Sequence, residues 1–268
     1  SETTFVETNP EGGPQPDGTW PVRIFTPEAE IPFAGHPTLG TAQVIRDHLA
    51  DGHPDEVVLD LDVGEVPVGV RTRDGQETLW MTQHPPEFGD HLDHDEMADV
   101  LGLAPDDLDH EFPAQVVSTG LPTIVVPLAD RGALEAIAVD RAAYDAVTGD
   151  RDAKNVLAFC PDPREDANDV AVRVFALFYG VPEDPATGSS NGCLAGYLLR
   201  HEYQRHDQES LRHDNEANGD AIDVRVEQGY EMGRPSLLHL RAERADDADE
   251  LTVEVGGAVQ SVARGNLV

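Results

Sequence analysis

Short apolar runs closed by Gly, Pro or Asp recur along the chain. They predict strands over Val22–Phe25, Val57–Leu61, Val66–Val70, Thr78–Thr82, Thr123–Pro127, Val156–Cys160 and Val170–Phe178. Further strands are predicted over Ile222–Glu227, Ser236–Ala242, Leu251–Val255 and Ala258–Ala263. Helical stretches are predicted over Pro37–Leu49, His94–Leu101, Leu134–Ala138, Ala142–Val147 and Ser189–Tyr203. Clustered strands with a helix between them point to an α+β fold, not a regular βαβ repeat. The polar, acidic stretch Arg200–Asp220 reads as a surface excursion.

Two helices lack a polar face. Leu39–Ile45 and Cys193–Leu199 are small or apolar nearly all round, the pattern of helices buried on every side. Gly40 and Gly196 within them are expected to let other backbone approach. The approaches to these helices also match. Arg23-Ile-Phe25, then Glu30, then Ala34-Gly35-His36 lead into the first; Arg173-Val-Phe175, then Glu183-Asp184, then Thr187-Gly188-Ser189 lead into the second. This internal repeat predicts two similar halves, meeting near Phe112–Pro113: residues 1–113, and residues 114–268 with a last strand crossing back.

Composition narrows the function. Lys+Arg number 18 against 52 Asp+Glu, a formal charge of −34, which excludes a nucleic-acid binder working through phosphate neutralisation. All but one of the basic residues, Lys154, are arginines. The acidic surface, in which lysine has been replaced, fits a protein from a halophile with a salt-rich cytosol. No apolar run approaches the ~20 residues of a membrane-spanning helix. The opening SETTFVETNP has no basic and apolar leader pattern, so a cytoplasmic location is expected. Cys160 and Cys193 are too few for a disulfide scaffold or a four-thiolate zinc site.

A glycine at a helix start leaves unpaired N–H groups and the positive end of the helix dipole exposed. Two such ends facing one cleft make an anion site suited to a carboxylate. Gly35 followed by His36, and Gly188 followed by Ser189, are the candidates.

The segments PFAGHPTLGTA (Pro32–Ala42), GVPEDPATGSSNGCLAGYL (Gly180–Leu198) and QGYEMGRPS (Gln228–Ser236) closely resemble PhzF-like proteins, of the diaminopimelate-epimerase-like fold. SETTF, RIFTP, STGLP and VGG extend the resemblance over the whole chain. It implies two α/β halves, each a curved mixed sheet wrapped around a central helix. It implies an isomerase that moves a proton on a small carboxylate-bearing substrate by carboxylate acid/base catalysis, with neither metal nor cofactor. The catalytic carboxylate falls on Glu2, with His36, Asp184 and Ser189 beside it; Gly35, Thr187 and Gly188 then bind substrate. A carboxylate closed off from water is expected to have its pKa raised toward neutrality. In the resembled family a first strand and helix precede the SETTF segment, so the first half is expected to lack them and leave an open edge. The resemblance also allows a homodimer, which the surface charge opposes at low salt.

Other readings carry less. A non-catalytic metabolite-binding protein fits the same scaffold. Epimerases and racemases of this fold place a thiol before each helix-start glycine, positions held here by Ala34 and Thr187. Gly188-Ser-Ser-Asn-Gly192 matches G-x-S-x-G around Ser190, but a loop precedes it where a nucleophile elbow needs a strand. His84, His91 and His94 among Asp90, Asp93 and Asp95 match no metal spacing. Asp60–Glu65 is no EF-hand loop. Arg234 is a candidate for closing the anion cleft.

The charge reading makes a direct prediction. Thermal unfolding midpoints rise between dilute buffer and molar KCl, because salt screens self-repulsion; greatest stability in dilute buffer overturns the halophile assignment.

Overall fold

A computed structural model describes residues 2–73, 75–203, 221–244 and 251–266. The chain opens with β1 (Thr3–Val6), β2 (Trp20–Phe25), β3 (Glu30–Ile31) and α1 (Gly35–His48). The meander β4 (Glu56–Leu61), β5 (Gly64–Arg73) and β6 (Gln76–Gln83) follows, then β7 (Glu87–Leu92) and α2 (His94–Leu101). Next come β8 (Ala114–Ser118), β9 (Thr123–Pro127), α3 (Arg131–Ala136), α4 (Arg141–Thr148), β10 (Asn155–Cys160) and β11 (Val170–Ala176). The last elements are β12 (Val181–Asp184), α5 (Gly188–Arg200), β13 (Ala221–Gln228), β14 (Ser236–Arg244) and β15 (Leu251–Gly257).

One plan is used twice. Strand β2 folds back on β3, crosses over through α1 to the parallel β4, and continues as the antiparallel meander β4–β5–β6. Strand β11 folds back on β12, crosses over through α5 to the parallel β13, and continues as β13–β14–β15. The third strands of the two meanders pair antiparallel, Met81 opposite Val255, and this seam joins the halves. From the seam outward the sheet order is palindromic: β6–β5–β4–β2–β1 on one side, β15–β14–β13–β11–β10 on the other. Beyond β10 the second half adds β9, β8 and β7. The last strand is thus shared between the halves.

The repeat persists to single atoms. Arg23 clamps Glu30 through Nε and Nη2 at 2.7 and 2.8 Å, and Arg173 clamps Glu183 through the same atoms, both at 2.8 Å. Each guanidinium also lies over the phenylalanine two residues on, at 5.0 Å for Phe25 and 5.1 Å for Phe175. Each clamp ties a short returning strand, β3 or β12, to its partner immediately before a helix starts.

Helix α5 fills the curve of the second half. Every residue from Gly188 to Leu199 is buried, as its lack of a polar face requires. Leu157 and Phe159 of β10 face it, while Val156, Ala158 and Cys160 face a second apolar cluster under α2, α3 and α4. Covered on both faces, β9 and β10 read as near-continuous apolar runs, and β11 does so except at Arg173.

Several expectations need correction. Helix α1 is buried on one side only, and Val44 is 45% exposed. Gly40 has no close neighbour, whereas Gly196 admits the Pro86 ring. No strand forms over 258–263, where most residues are exposed. Residues 177–179 form a short 3₁₀ turn beyond β11. Strands β1, β3, β7, β8 and β12 escaped the pattern because they are short, and β7 also carries polar residues and a register shift. The divide expected at Phe112–Pro113 lies by pairing between β6 and β7, since β7 pairs with β8 and α2 packs its apolar face into the second half's outer cluster. Most of the 200–220 excursion lies outside the described residues.

The twin clamps should differ in worth. Arg173 and Glu183 side chains are 10% and 17% exposed, against 54% and 46% for Arg23 and Glu30. Urea unfolding should show Glu183→Gln destabilising the protein by about 3 kcal/mol, because a buried guanidinium loses its partner. Glu30→Gln should leave the transition nearly unmoved. Equal effects would refute this asymmetry.

Candidate active site

The two central helices meet at their amino ends. A β-carbon on Gly35 would stand 2.5 Å from Ser189 N, and one on Gly188 would stand 2.8 Å from Gly35 Cα. Only glycine permits this approach. Neither Ala34 nor Thr187, the residues before the helices, caps them through a side chain, and no acidic residue occupies either first turn. The positive ends of both helices are left for whatever enters between them.

Two buried glutamines fix the start of α5. Gln228, ending β13, donates to Asp184 O at 2.6 Å and to Thr187 Oγ1 at 2.9 Å, and accepts from Thr187 N at 3.1 Å and Asn191 Nδ2 at 2.9 Å. Gln83, ending β6, donates to Gly188 O at 2.9 Å. Thr187 Oγ1 donates to Asp184 Oδ2 at 2.6 Å, which sets that carboxylate beside the helix end.

Glu2 enters from the strand side. Strand β1 is held to α1 by the Thr41–Thr4 hydroxyl bond at 2.8 Å, and Glu2 Oε2 lies 3.0 Å from His36 Nε2. His36 Nδ1 lies 3.1 Å from Ala186 O, which only accepts, so Nδ1 carries a proton. With a carboxylate at the other nitrogen, the doubly protonated ring is favoured. The hydrogen bond to His36 holds Glu2 below the usual carboxylate pKa, against a burial effect of opposite sign. Burial acts downward on His36, but the bond to Glu2, the fields of Asp184 and Glu2 and the Ala186 carbonyl together raise its pKa above the ordinary imidazole value. The expected upward shift of Glu2 therefore does not hold in this structure: a cationic neighbour outweighs desolvation.

Glu2, Gly35, His36, Asp184, Thr187 and Ser189 line one cleft of ≈ 40 Å³, with Phe33, Leu121, Asn155 and Tyr179 completing much of its wall. Gly188 faces a wider neighbouring groove of ≈ 650 Å³, which His36 also borders. The sequence reading missed Asn155, Gln83 and Tyr179. Gln228 stood inside a resembling segment, but a glutamine ending a strand announces no role.

Other candidates fall elsewhere. Arg234 is exposed and its backbone N–H closes a turn on Gly229 O at 2.9 Å. Ser190 is fully buried, hydrogen-bonded to Thr123 Oγ1 at 3.0 Å and Asn155 Nδ2 at 3.3 Å, with no base attached. Asp93 caps α2, which explains its acidic loop, and no metal-ligating cluster occurs among the described residues. Both thiols are buried away from the cleft. Burial pushes Cys160 up to about 12 and raises Cys193 as well.

The Glu2–His36 pair has a defined pH signature. The raised His36 stabilises the fold fully below about 6.5 and loses that contribution as pH climbs through its raised value. The lowered Glu2 contributes above about 4.5 and loses its contribution as pH falls through its lowered value. NMR titration should therefore place the His36 pKa above the ordinary value, and Glu2→Gln should bring it down; an unmoved His36 pKa would break the pairing.

Comparison with known proteins agrees with this architecture. Residues 1–265 match the family described as phenazine biosynthesis-like protein, PhzC-PhzF. The trans-2,3-dihydro-3-hydroxyanthranilate isomerase of Pseudomonas aeruginosa is 33% identical over 273 residues, covering 99% of this chain and 83% of that enzyme. A PhzF-family protein of Bacillus anthracis superposes with a TM-score of 0.78 at 22% identity, over 96% of this chain and 81% of its own. A probable proline racemase of Agrobacterium radiobacter shares the fold, with a TM-score of 0.56 at 12% identity over 96% of this chain and 73% of its own. The match over residues 1–265 and the shared epimerase-like fold establish that the chain belongs to the phenazine biosynthesis-like (PhzF) family of isomerases.

Proposed function

We propose that this protein is an isomerase that moves a proton between two positions of a small carboxylate-bearing substrate, with Glu2 carrying the proton. The observation that supports this best is the Glu2–His36 pair, 3.0 Å apart, in a cleft bounded by two uncapped helix ends. The helix ends hold the substrate carboxylate. Glu2, kept ionised by His36, takes a proton from an acidified C–H bond. The electron pair left behind delocalises through the adjoining unsaturated system toward oxygen, where first-turn N–H groups and Ser189 stabilise it. Glu2 then returns the proton to a second carbon, and the carboxylate is regenerated. Asp184 receives a donor group of the substrate. This sequence consumes no co-reactant and requires neither metal nor cofactor. A two-thiol racemase is disfavoured, because both cysteines lie buried outside the cleft.

The first substrate to test is trans-2,3-dihydro-3-hydroxyanthranilate, named for the Pseudomonas aeruginosa relative. Among the described residues no helix is long and apolar enough to cross a membrane. A homodimer is expected only where salt screens the acidic surfaces.

Glu2→Gln should lower kcat by about 10²–10⁴-fold while the circular dichroism spectrum stays that of wild type and the melting midpoint falls only by the contribution of the lost Glu2–His36 pair. Undiminished turnover removes Glu2 from the mechanism. Wild type that binds carboxylates but isomerises none of them supports the metabolite-binding alternative instead.

A further inference from the structure

The internal repeat assigns Glu2 a counterpart. Thr3, first residue of β1, pairs with Phe25; Val156 of β10 pairs with Phe175. Phe25 and Phe175 are the matching members of the two Arg-x-Phe strands, so Thr3 and Val156 are equivalent. The residues before them are Glu2 and Asn155. Strand pairing thus assigns the correspondence, and both residues wall the same cleft.

Asn155 is a costly residue where it stands. It is 3% exposed, and its side chain lies on the same strand face as Leu157 and Phe159, toward α5. Its Nδ2 donates to Ser190 Oγ at 3.3 Å, but its Oδ1 has no hydrogen-bond partner. Ser190 already has Thr123 Oγ1 at 3.0 Å, so the serine does not depend on the asparagine. Asn191 also has an unmatched Oδ1, yet its amide nitrogen holds Thr187 O and Gln228 Oε1, which gives it a structural task at the α5 start. No comparable task uses Asn155. A buried amide carbonyl left without a donor is destabilising and is retained where something else supplies the donor.

We propose that Asn155 is a specificity-determining substrate contact, whose Oδ1 accepts a hydrogen bond from an N–H or O–H group of the carboxylate-bearing substrate. The proposal rests on the reading of this cleft as the substrate site. A side-chain amide does not ionise near neutral pH, so Asn155 recognises without titrating. It stands for the second half where Glu2 stands for the first.

Calorimetric titration with benzoate, its 2- and 3-amino derivatives and its 2- and 3-hydroxy derivatives tests this. Wild type should bind at least one donor-bearing ring about tenfold more tightly than benzoate. Asn155→Ala should bring that ratio close to one while leaving the benzoate Kd within about twofold. Ser190→Ala removes the partner of Nδ2, together with that of Thr123 Oγ1, and should retain the preference, which separates recognition from support of the α5 start. The amino and hydroxy arms identify which donor is read. A preference that survives Asn155→Ala, or that Ser190→Ala abolishes equally, overturns the assignment. A wild-type protein that binds benzoate and its derivatives alike overturns it while leaving the carboxylate site standing. Failure to bind benzoate at all overturns the carboxylate site and this proposal with it.

Discussion

The contact on which this molecule depends is between two residues without side chains. Gly35 and Gly188 let the amino ends of α1 and α5 come so close that a β-carbon on either would overlap the other helix. Two partial positive charges are thereby held together, an arrangement unfavourable unless something negative lies between them or the scaffold compels it. The scaffold does compel it. Strands β6 and β15 zip the halves together, and Gln83, ending β6, holds the Gly188 carbonyl, so the strand that joins the halves also sets the helix end. Gln83 leaves no room for a β-carbon at position 192 either.

The charge distribution follows a related logic. With few cations available, the protein spends arginines on paired clamps rather than on an evenly mixed surface. Near the seam Arg71 bonds Glu254 and Arg241 bonds Asp223 at 2.9 Å, while both guanidiniums lie over the Trp80 ring, at 5.1 and 4.8 Å. The join between the halves is therefore stitched by charge-assisted hydrogen bonds and cation–π contacts as well as by the strand ladder. Helix α5, by contrast, is uncharged until Arg200 at its end.

Much of this was legible in the chain because it is repeated. Arg23 and Arg173, Glu30 and Glu183, Gly35 and Gly188 recur in one order before helices without polar faces, and the structure superimposes their roles bond for bond. Glu2, His36, Asp184 and Ser189 come together as the resemblance implied. What escaped is what spacing does not encode. The burial of α1 depends on which elements cover it, and Gly40 reads the same in sequence whether or not a neighbour arrives. The Glu2 pKa turned on a partner 34 positions away in the chain, whose cationic form reverses the sign that burial alone gives. Asn155 was invisible until the strand register paired it with Glu2.

The site shows how a near-symmetric scaffold supports one-sided chemistry. Each half contributes a glycine, the residue after it, and the residue before the one that pairs with its Arg-x-Phe phenylalanine. In the first half these last two are His36 and Glu2, an ionisable couple in which each partner shifts the other toward its charged form. In the second they are Ser189 and Asn155, which hold hydrogen-bonding capacity but do not ionise near neutral pH. The second half also places a carboxylate in the cleft, Asp184, tied to Thr187 Oγ1, and His36 stands in the fields of both Asp184 and Glu2. The cationic ring beside it favours the ionised form of Glu2. Symmetry thus builds the pocket and concentrates the helix fields, while on the proposed reading departure from symmetry decides which wall handles the proton and which wall reads the molecule that carries it.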